Sequence, residues 1–287
     1  MAKRIITSAI GLIVFFATFF ANEHIFSAAV MIVTIGLVYE AVSAIKPGKT
    51  VTAVSMIFSL LVFLGGIFLE TMGRDIALFT RDYGFSGIAL ITFFLLCILL
   101  MIFIYLVLAV AKFGKVEFQK IFSAAFLTAY ITAFMFFIVL LRAFIGRYAV
   151  IPVFIFSWIT DTGAYFVGSF MGKHKLCKNL SPKKTVEGAI GGIITTVLGA
   201  YIYTLILKYA FSITIPSVWF FVAAAAFGAV LSELGDLAAS AVKRQSGIKD
   251  FGKIFPGHGG FMDRFDSVVF VAPYTYLIFI IMNMIWH

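Results

Sequence analysis

Apolar residues run along this chain in blocks of about 20, separated by short stretches that carry most of the charge. A helix of about 20 residues rises 1.5 Å per residue and crosses roughly 30 Å of hydrocarbon. Nine such blocks are present, at 4–21, 25–45, 51–69, 86–111, 121–141, 148–171, 185–207, 217–235 and 265–286. Lipid offers no hydrogen-bond partner, so each spanning block is predicted to be a helix, which satisfies its own backbone. The expected fold is therefore all-α, a polytopic transmembrane helical bundle of about nine spans. Lys3 and Arg4 precede the first apolar run, Ile5 to Phe20, in the manner of a signal peptide. The run is longer than a signal-peptide core and lacks a small-residue cleavage pattern, so it reads as an uncleaved first span. No internal repeat is visible, which argues against an inverted-repeat transporter.

Composition makes the membrane reading obligatory. The chain is 62% hydrophobic and 12% charged, with a mean hydropathy of +1.09. A soluble domain has about 45–50% apolar and about 25% charged residues, because much of its surface must be polar. Charge also fixes an expected orientation. With the N-terminus cytoplasmic, 17 of the 22 Lys and Arg fall in cytoplasmic segments. The five on the other side are Arg74, Arg81, Arg142, Arg147 and Lys208. A wrong span count would scramble that alternation. Topology also accounts for the net charge of +9, at least for Lys46, Lys49, Lys112, Lys115 and Lys120. No basic patch is interleaved with exposed aromatics, so nucleic acid is not an expected partner. Cys97 lies in an apolar run and Cys177 in a basic loop; they read as free thiols rather than a disulfide framework.

Two cytoplasmic stretches carry candidate chemistry. The first, Gly172 to Thr185, holds five lysines and no acid. The second, Glu233 to Asp266, mixes Glu233, Asp236, Asp250, Asp263 and Asp266 with Lys243, Arg244, Lys249, Lys253, His258 and Arg264. Charge of both signs around a glycine turn suits a metal and a polyphosphate: carboxylates take Mg²⁺, and Lys and Arg take phosphate oxygens. Glu233 and Asp236 are three residues apart at the cytoplasmic end of a span and share one helix face, which Ser240 and Lys243 extend. Asp263 and Asp266 repeat that spacing at the start of the last span. Between the two pairs, Pro256-Gly-His-Gly-Gly260 permits positive φ and close backbone approach to a ligand. Two acid-bearing helix ends joined by such a turn can hold a divalent ion between them. The competing reading is that these acids only cap and solvate helix ends.

Asp161 lies inside the sixth span, where an ionisable side chain is costly and marks a polar cavity. A structural hydrogen bond with Thr160 or Tyr165 is the alternative. Glu40, in the second span, has no charged neighbour in sequence, and its role stays open. Gly188 and Gly192 form a GxxxG, which points to close helix packing. His258 in the glycine turn can donate to a phosphate or move a proton, whereas His24, His174 and His287 read as solvated. No HExxH, CxxC, GxSxG or GxxxxGK[ST] occurs, so zinc hydrolysis, serine esterase chemistry and a P-loop have no support.

The stretch Ser240 to Asp266, read as S-x-x-K-R-x4-K-D-x-G-x2-F-P-G-H-G-G-x2-D-R-x-D, resembles the signature of the CDP-diacylglycerol synthases, or phosphatidate cytidylyltransferases. Asp161-Thr-Gly-Ala-Tyr165 and Leu180-Ser-Pro-Lys-Lys-Thr-Val-Glu-Gly188 resemble the same family. The likeness covers about 157–266; upstream it is one of hydropathy only. It implies joining of CTP and phosphatidate to give CDP-diacylglycerol and diphosphate, with Mg²⁺, in a membrane homodimer of the bacterial inner membrane. It also implies that Asp236 and Asp263 are the metal-binding acids.

On this reading residues 1–141 form an N-terminal transmembrane region, and 142–287 a catalytic region whose two cytoplasmic loops carry the site. Asp236, Asp263, Asp161 and Asp266 are the candidate metal ligands, and Lys243, Arg264 and His258 the candidate catalytic groups. Ser181, Lys183, Lys184, Ser240, Arg244, Lys249, Asp250, Gly259 and Gly260 are the candidate CTP-binding set. Lys243 is expected to be a solvated cation at a loop edge. A CTP-dependent polyprenol or phytol kinase is the nearest rival; there an alcohol accepts the γ-phosphate. An ion or solute transporter coupled through Asp161 and Glu40 is a rival of another class.

Overall fold

The computed structural model describes residues 11, 13–80, 83–255 and 259–286, and the side chains of all of these except 73–80, 83–87 and 286. Lys3, Arg4, Arg81, His258 and His287 lie outside the described residues. So does much of the first predicted span, of which residues 13–20 are helical (α1). The described residues contain eight helices long and apolar enough to cross a membrane, and they coincide with the second to ninth predicted spans. The chain is a polytopic membrane protein of helices. In order these are α2 (Glu23–Ala44), α3 (Lys49–Thr80), α4 (Tyr83–Ala111) and α5 (Phe118–Leu140). A broken span follows, of a wide π-turn (Leu141–Ile145), a 3₁₀ turn (Arg147–Val150), α6 (Ile151–Phe154), a second π-turn (Ile155–Ile159) and α7 (Thr160–Met171). The last three helices are α8 (Val186–Phe211), α9 (Val218–Gln245) and α10 (Met262–Trp286).

Three expectations change. Helix α3 runs on to Thr80, beyond the end at 69 set by hydropathy. Helix α9 continues to Gln245 rather than ending at 235, so Ser240, Lys243 and Arg244 ride on the same helix as Glu233 and Asp236. Hydropathy stops where charge begins, while the backbone bonds of a helix do not. The lysine-rich first loop is a small antiparallel hairpin of β1 (Lys175–Cys177) and β2 (Ser181–Thr185), with Lys175 opposite Thr185 and Cys177 opposite Ser181.

The chain forms two compact units, one of residues 1–139 with 250–262, the other of 140–249 with 263–287. In the first, buried hydroxyls link helices: Tyr105 bonds Ser55 at 2.6 Å and Thr128 at 3.1 Å, and Thr132 donates to Ser59 at 2.9 Å. Such bonds between membrane helices contribute about 0.6 kcal/mol each. Aromatic edges fill the space beside them, with Phe136 meeting Phe63 at 5.2 Å and Phe94 at 5.0 Å between ring centres.

In the second unit α7 and α8 pack closely. A Cβ at Gly188 would lie 2.8 Å from the Ala164 carbonyl and 3.1 Å from the Gly168 Cα, and one at Gly192 would lie 2.9 Å from the Thr160 carbonyl. The GxxxG is a packing device, as expected. Thr160 and Thr196 bond across this seam at 2.6 Å. Backbone cannot yield as a flexible side chain can. Gly188→Val should therefore separate the helices and cost about 2–3 kcal/mol, which lowers the unfolding midpoint in detergent by about 5 °C or more. An unchanged midpoint would contradict the packing.

Candidate active site

The second unit gathers charge at the end of α9 and the start of α10. Local structure explains how Lys184 reaches it. Strand β2 ends at Thr185, whose extended backbone lets its side chain accept from Gly188 N at 3.1 Å and cap α8. A Ser or Thr at this position satisfies an otherwise orphaned helix N–H. Gly168 and Gly172 leave room for the Thr185 side chain, 2.9 and 2.7 Å from where their own Cβ atoms would stand. In the first turn of α8, Glu187 accepts from Lys173 N at 3.0 Å and His174 N at 3.1 Å, and its Oε1 lies 2.5 Å from His174 Nδ1. The hairpin is thus tied at both ends. His174 remains exposed but, contrary to expectation, it has an acid partner, one supplied by folding.

From that frame the Lys184 ammonium reaches Glu233 at 2.5 Å and Asp236 at 2.7 Å. The i, i+3 spacing does put both acids on one face of α9. Burial alone would lower the Lys184 pKa, but the two carboxylates outweigh it and the pKa lies above the ordinary lysine value. It is charged at neutral pH. Two turns further along α9, Lys243 Nζ lies 3.1 Å from Asp263 Oδ1, with the two side chains 15% and 5% exposed. Lys243 is therefore not the solvated cation expected from its place at a span edge; it is half-buried against an acid of the next helix. Asp161, in the turn that opens α7, accepts from Ser267 Oγ at 3.4 Å. Asp266 accepts from Ser267 N at 2.9 Å.

These groups form one electrostatic network. Asp161 interacts with Asp236, Lys184 and Glu233, and Asp266 interacts with Asp236, Asp161 and Lys243. Five carboxyl groups thus face two ammonium groups. Ser240 is buried on α9, and Arg244, exposed, donates to the Leu180 carbonyl at 3.4 Å, which links α9 to the hairpin. Lys183, Lys249 and Arg264 are exposed, and Ser181 is half-buried on β2. Glu233 and Ser267 are site residues that the sequence reading left out of its set. Spacing from Asp236 pointed to Glu233, while nothing in the pattern marked Ser267.

The remaining candidates belong to the first unit. Asp250 is exposed, Gly259 adopts φ +87° and its carbonyl accepts from Phe255 N at 2.9 Å. A positive φ there requires glycine. Gly260 follows, beside the carboxylate of Glu40.

The donor set fits a hard divalent cation. Among the described residues no three His, Cys, Asp or Glu are drawn together as a metal cage. Mg²⁺ does not need one, since it keeps waters and takes one or two carboxylates with substrate phosphates. The excess of carboxylates over ammoniums, and a lysine standing on each of Asp236 and Asp263, are what a cation site of that kind offers.

The sequence profile of the cytidylyltransferase family matches residues 2–282. Curated proteins named phosphatidate cytidylyltransferase are similar over about half of the chain. The one from Bacillus subtilis is 46% identical over 121 residues, 42% of this chain and 43% of the relative. That from Staphylococcus haemolyticus is 41% identical over 128 residues, 45% of this chain and 47% of the relative. That from Thermotoga maritima is 38% identical over 155 residues, 54% of this chain and 57% of the relative. The chain spans about half the length of the curated relatives it matches. With a match that runs from residue 2 to 282, the chain belongs to the cytidylyltransferase family.

Proposed function

We propose that the chain is a phosphatidate cytidylyltransferase: a phosphatidate phosphate oxygen attacks the α-phosphorus of CTP, the α–β phosphoanhydride bond breaks, and diphosphate leaves as CDP-diacylglycerol forms. The observation that carries this reading is the network of buried and half-buried carboxylates and lysines that joins Lys184, Glu233, Asp236, Lys243, Asp263 and Asp266. The curated relatives bear this activity in their names.

The phosphatidate phosphate is already an anion, so no base need deprotonate a hydroxyl. The remaining task is to bring two polyanions together in line and to stabilise departing charge, which is positioning and electrostatics. Asp236 and Asp263 would hold Mg²⁺, which when bound neutralises charge on the CTP phosphates. Lys184 and Lys243, each held now by carboxylates, would turn to phosphate oxygens as those acids take the metal. Arg244, Arg264, Lys183 and Lys249, all exposed, would supply further cations. A site that binds CTP faces the cytoplasm, which agrees with the lysine and arginine asymmetry and with a bacterial inner membrane. A homodimer is part of the same proposal, through the family resemblance.

Purified protein supplied with phosphatidate, labelled CTP and Mg²⁺ should give labelled CDP-diacylglycerol. Label appearing only as CDP would instead indicate a kinase. Cysteines placed at Asn22, Asp75 or Ser212 should react with an impermeant reagent on intact cells, and one at Ser246 should not. Strong labelling at position 246 would overturn the orientation and the access to CTP.

A further inference from the structure

Glu40 lies within a predicted span, one turn before the end of α2, and the mechanism above makes no use of it. Its side chain is buried, at 2% exposure. An acid at such a position is costly and is retained for a reason. Oε2 accepts a hydrogen bond from Met262 N at 2.9 Å. The same carboxylate presses on two glycines. A Cβ at Gly252 would lie 2.6 Å from Glu40 Cδ, and a Cβ at Gly260 would collide with both carboxylate oxygens. Neither glycine has a positive φ, so space, rather than backbone freedom, demands glycine there. One turn earlier on the same face of α2, a Cβ at Gly36 would lie 2.8 Å from the Phe261 ring. Phe261 in turn meets Phe255 edge-on at 5.0 Å between centres. Gly36 and Glu40 thus make a notch and a hook for one segment.

We propose that Glu40 is a positioning residue: its buried carboxylate anchors Gly252, Gly260 and Met262 to α2 and so fixes the backbone that leads into Asp263. Met262, the residue it bonds, is covalently next to Asp263. The proposal rests on the cytidylyltransfer reading only for its kinetic consequence; the anchoring itself is independent of the reaction.

A nitroxide at Ile254→Cys, a position 51% exposed, reports the anchoring in full-length protein with Cys97→Ser and Cys177→Ser. Glu40→Ala should narrow the spectrum, as the segment gains motion. In unlabelled protein it should lower kcat at saturating CTP by about tenfold or more, with KM for phosphatidate little changed. Glu40→Gln keeps an acceptor for Met262 N and should restore the immobile spectrum and most of kcat. Gly252→Ala, which pushes the carboxylate aside while leaving the residues of α2 unchanged, should mobilise the label too, and it serves if Glu40→Ala does not fold. An immobile label in Glu40→Ala or Gly252→Ala overturns the proposal, as does a Glu40→Gln spectrum as mobile as that of Glu40→Ala. If the parent makes no CDP-diacylglycerol, the proposed reaction fails while the spectra still decide the role of Glu40.

Discussion

Asp236→Asn and Asp263→Asn should each reduce cytidylyl transfer by about 10²–10³-fold while the protein still folds and inserts. Asparagine preserves shape and a weaker carbonyl ligand, so each change tests charge more than packing. In the structure Asp236 is one of two acids on Lys184, and Asp263 holds Lys243; losing one charge leaves Glu233 still on Lys184. The two acids come from different helices and, on the proposed reading, would act on one ion, so the double variant should be little worse than either single one. Mn²⁺ titrated by its EPR signal with CTP present gives the direct measurement. If either single variant binds Mn²⁺ as tightly as the parent, the two acids do not share a metal.

Lys184→Met should lose both stability and activity. It strips the cation from Glu233 and Asp236, whose side chains are 9% and 27% exposed. Breaking a buried pair by removing one partner costs about 3–5 kcal/mol. The partial exposure of Asp236 puts the loss near the lower end, a fall of roughly 6–12 °C in the unfolding midpoint. Lys184→Met with Glu233→Gln should recover much of the midpoint, because the stranded buried charge is gone, yet stay inactive, because the Lys184 cation is no longer there for phosphate. Recovery of activity along with stability would reduce Lys184 to a structural ion pair.

The spans were legible because membrane helices announce themselves by hydropathy alone, and eight of the nine are matched within the described residues. Their polar extensions were not. Hydropathy cannot follow α9 from Gly235 to Gln245, where the helix leaves hydrocarbon and charge becomes inexpensive. The hairpin was hidden because lysine-rich segments carry little strand propensity, and what closes it is Glu187, beyond its C-terminal end. Asp236 and Asp263 were visible through spacing, since i, i+3 acids share a face whatever surrounds them. Lys184 and Lys243 were visible as charges but not as partners. Their acids lie 49 to 52 and 20 residues away in sequence, and no local pattern encodes such a meeting. Glu40 was the least readable, for its contacts are to backbone more than 200 residues downstream.

The π-turn at Ile155–Ile159, just ahead of Asp161, has a consequence for bearing rather than for contact. Each residue of an α-helix advances the chain by about 100° around the axis, and a π-turn holds one residue more than a regular turn. Everything after it is rotated by about that angle relative to a straight continuation of the helix. The compass direction of Asp161 is thus set by the width of the turn between Pro152 and Thr160, not by which residues fill it. Substitutions inside the turn leave that direction alone. Removing one of its residues would let the turn close as a regular α-turn and leave Asp161 facing Ser267, whereas adding a residue as regular α-helix would swing Asp161 away by about 100°.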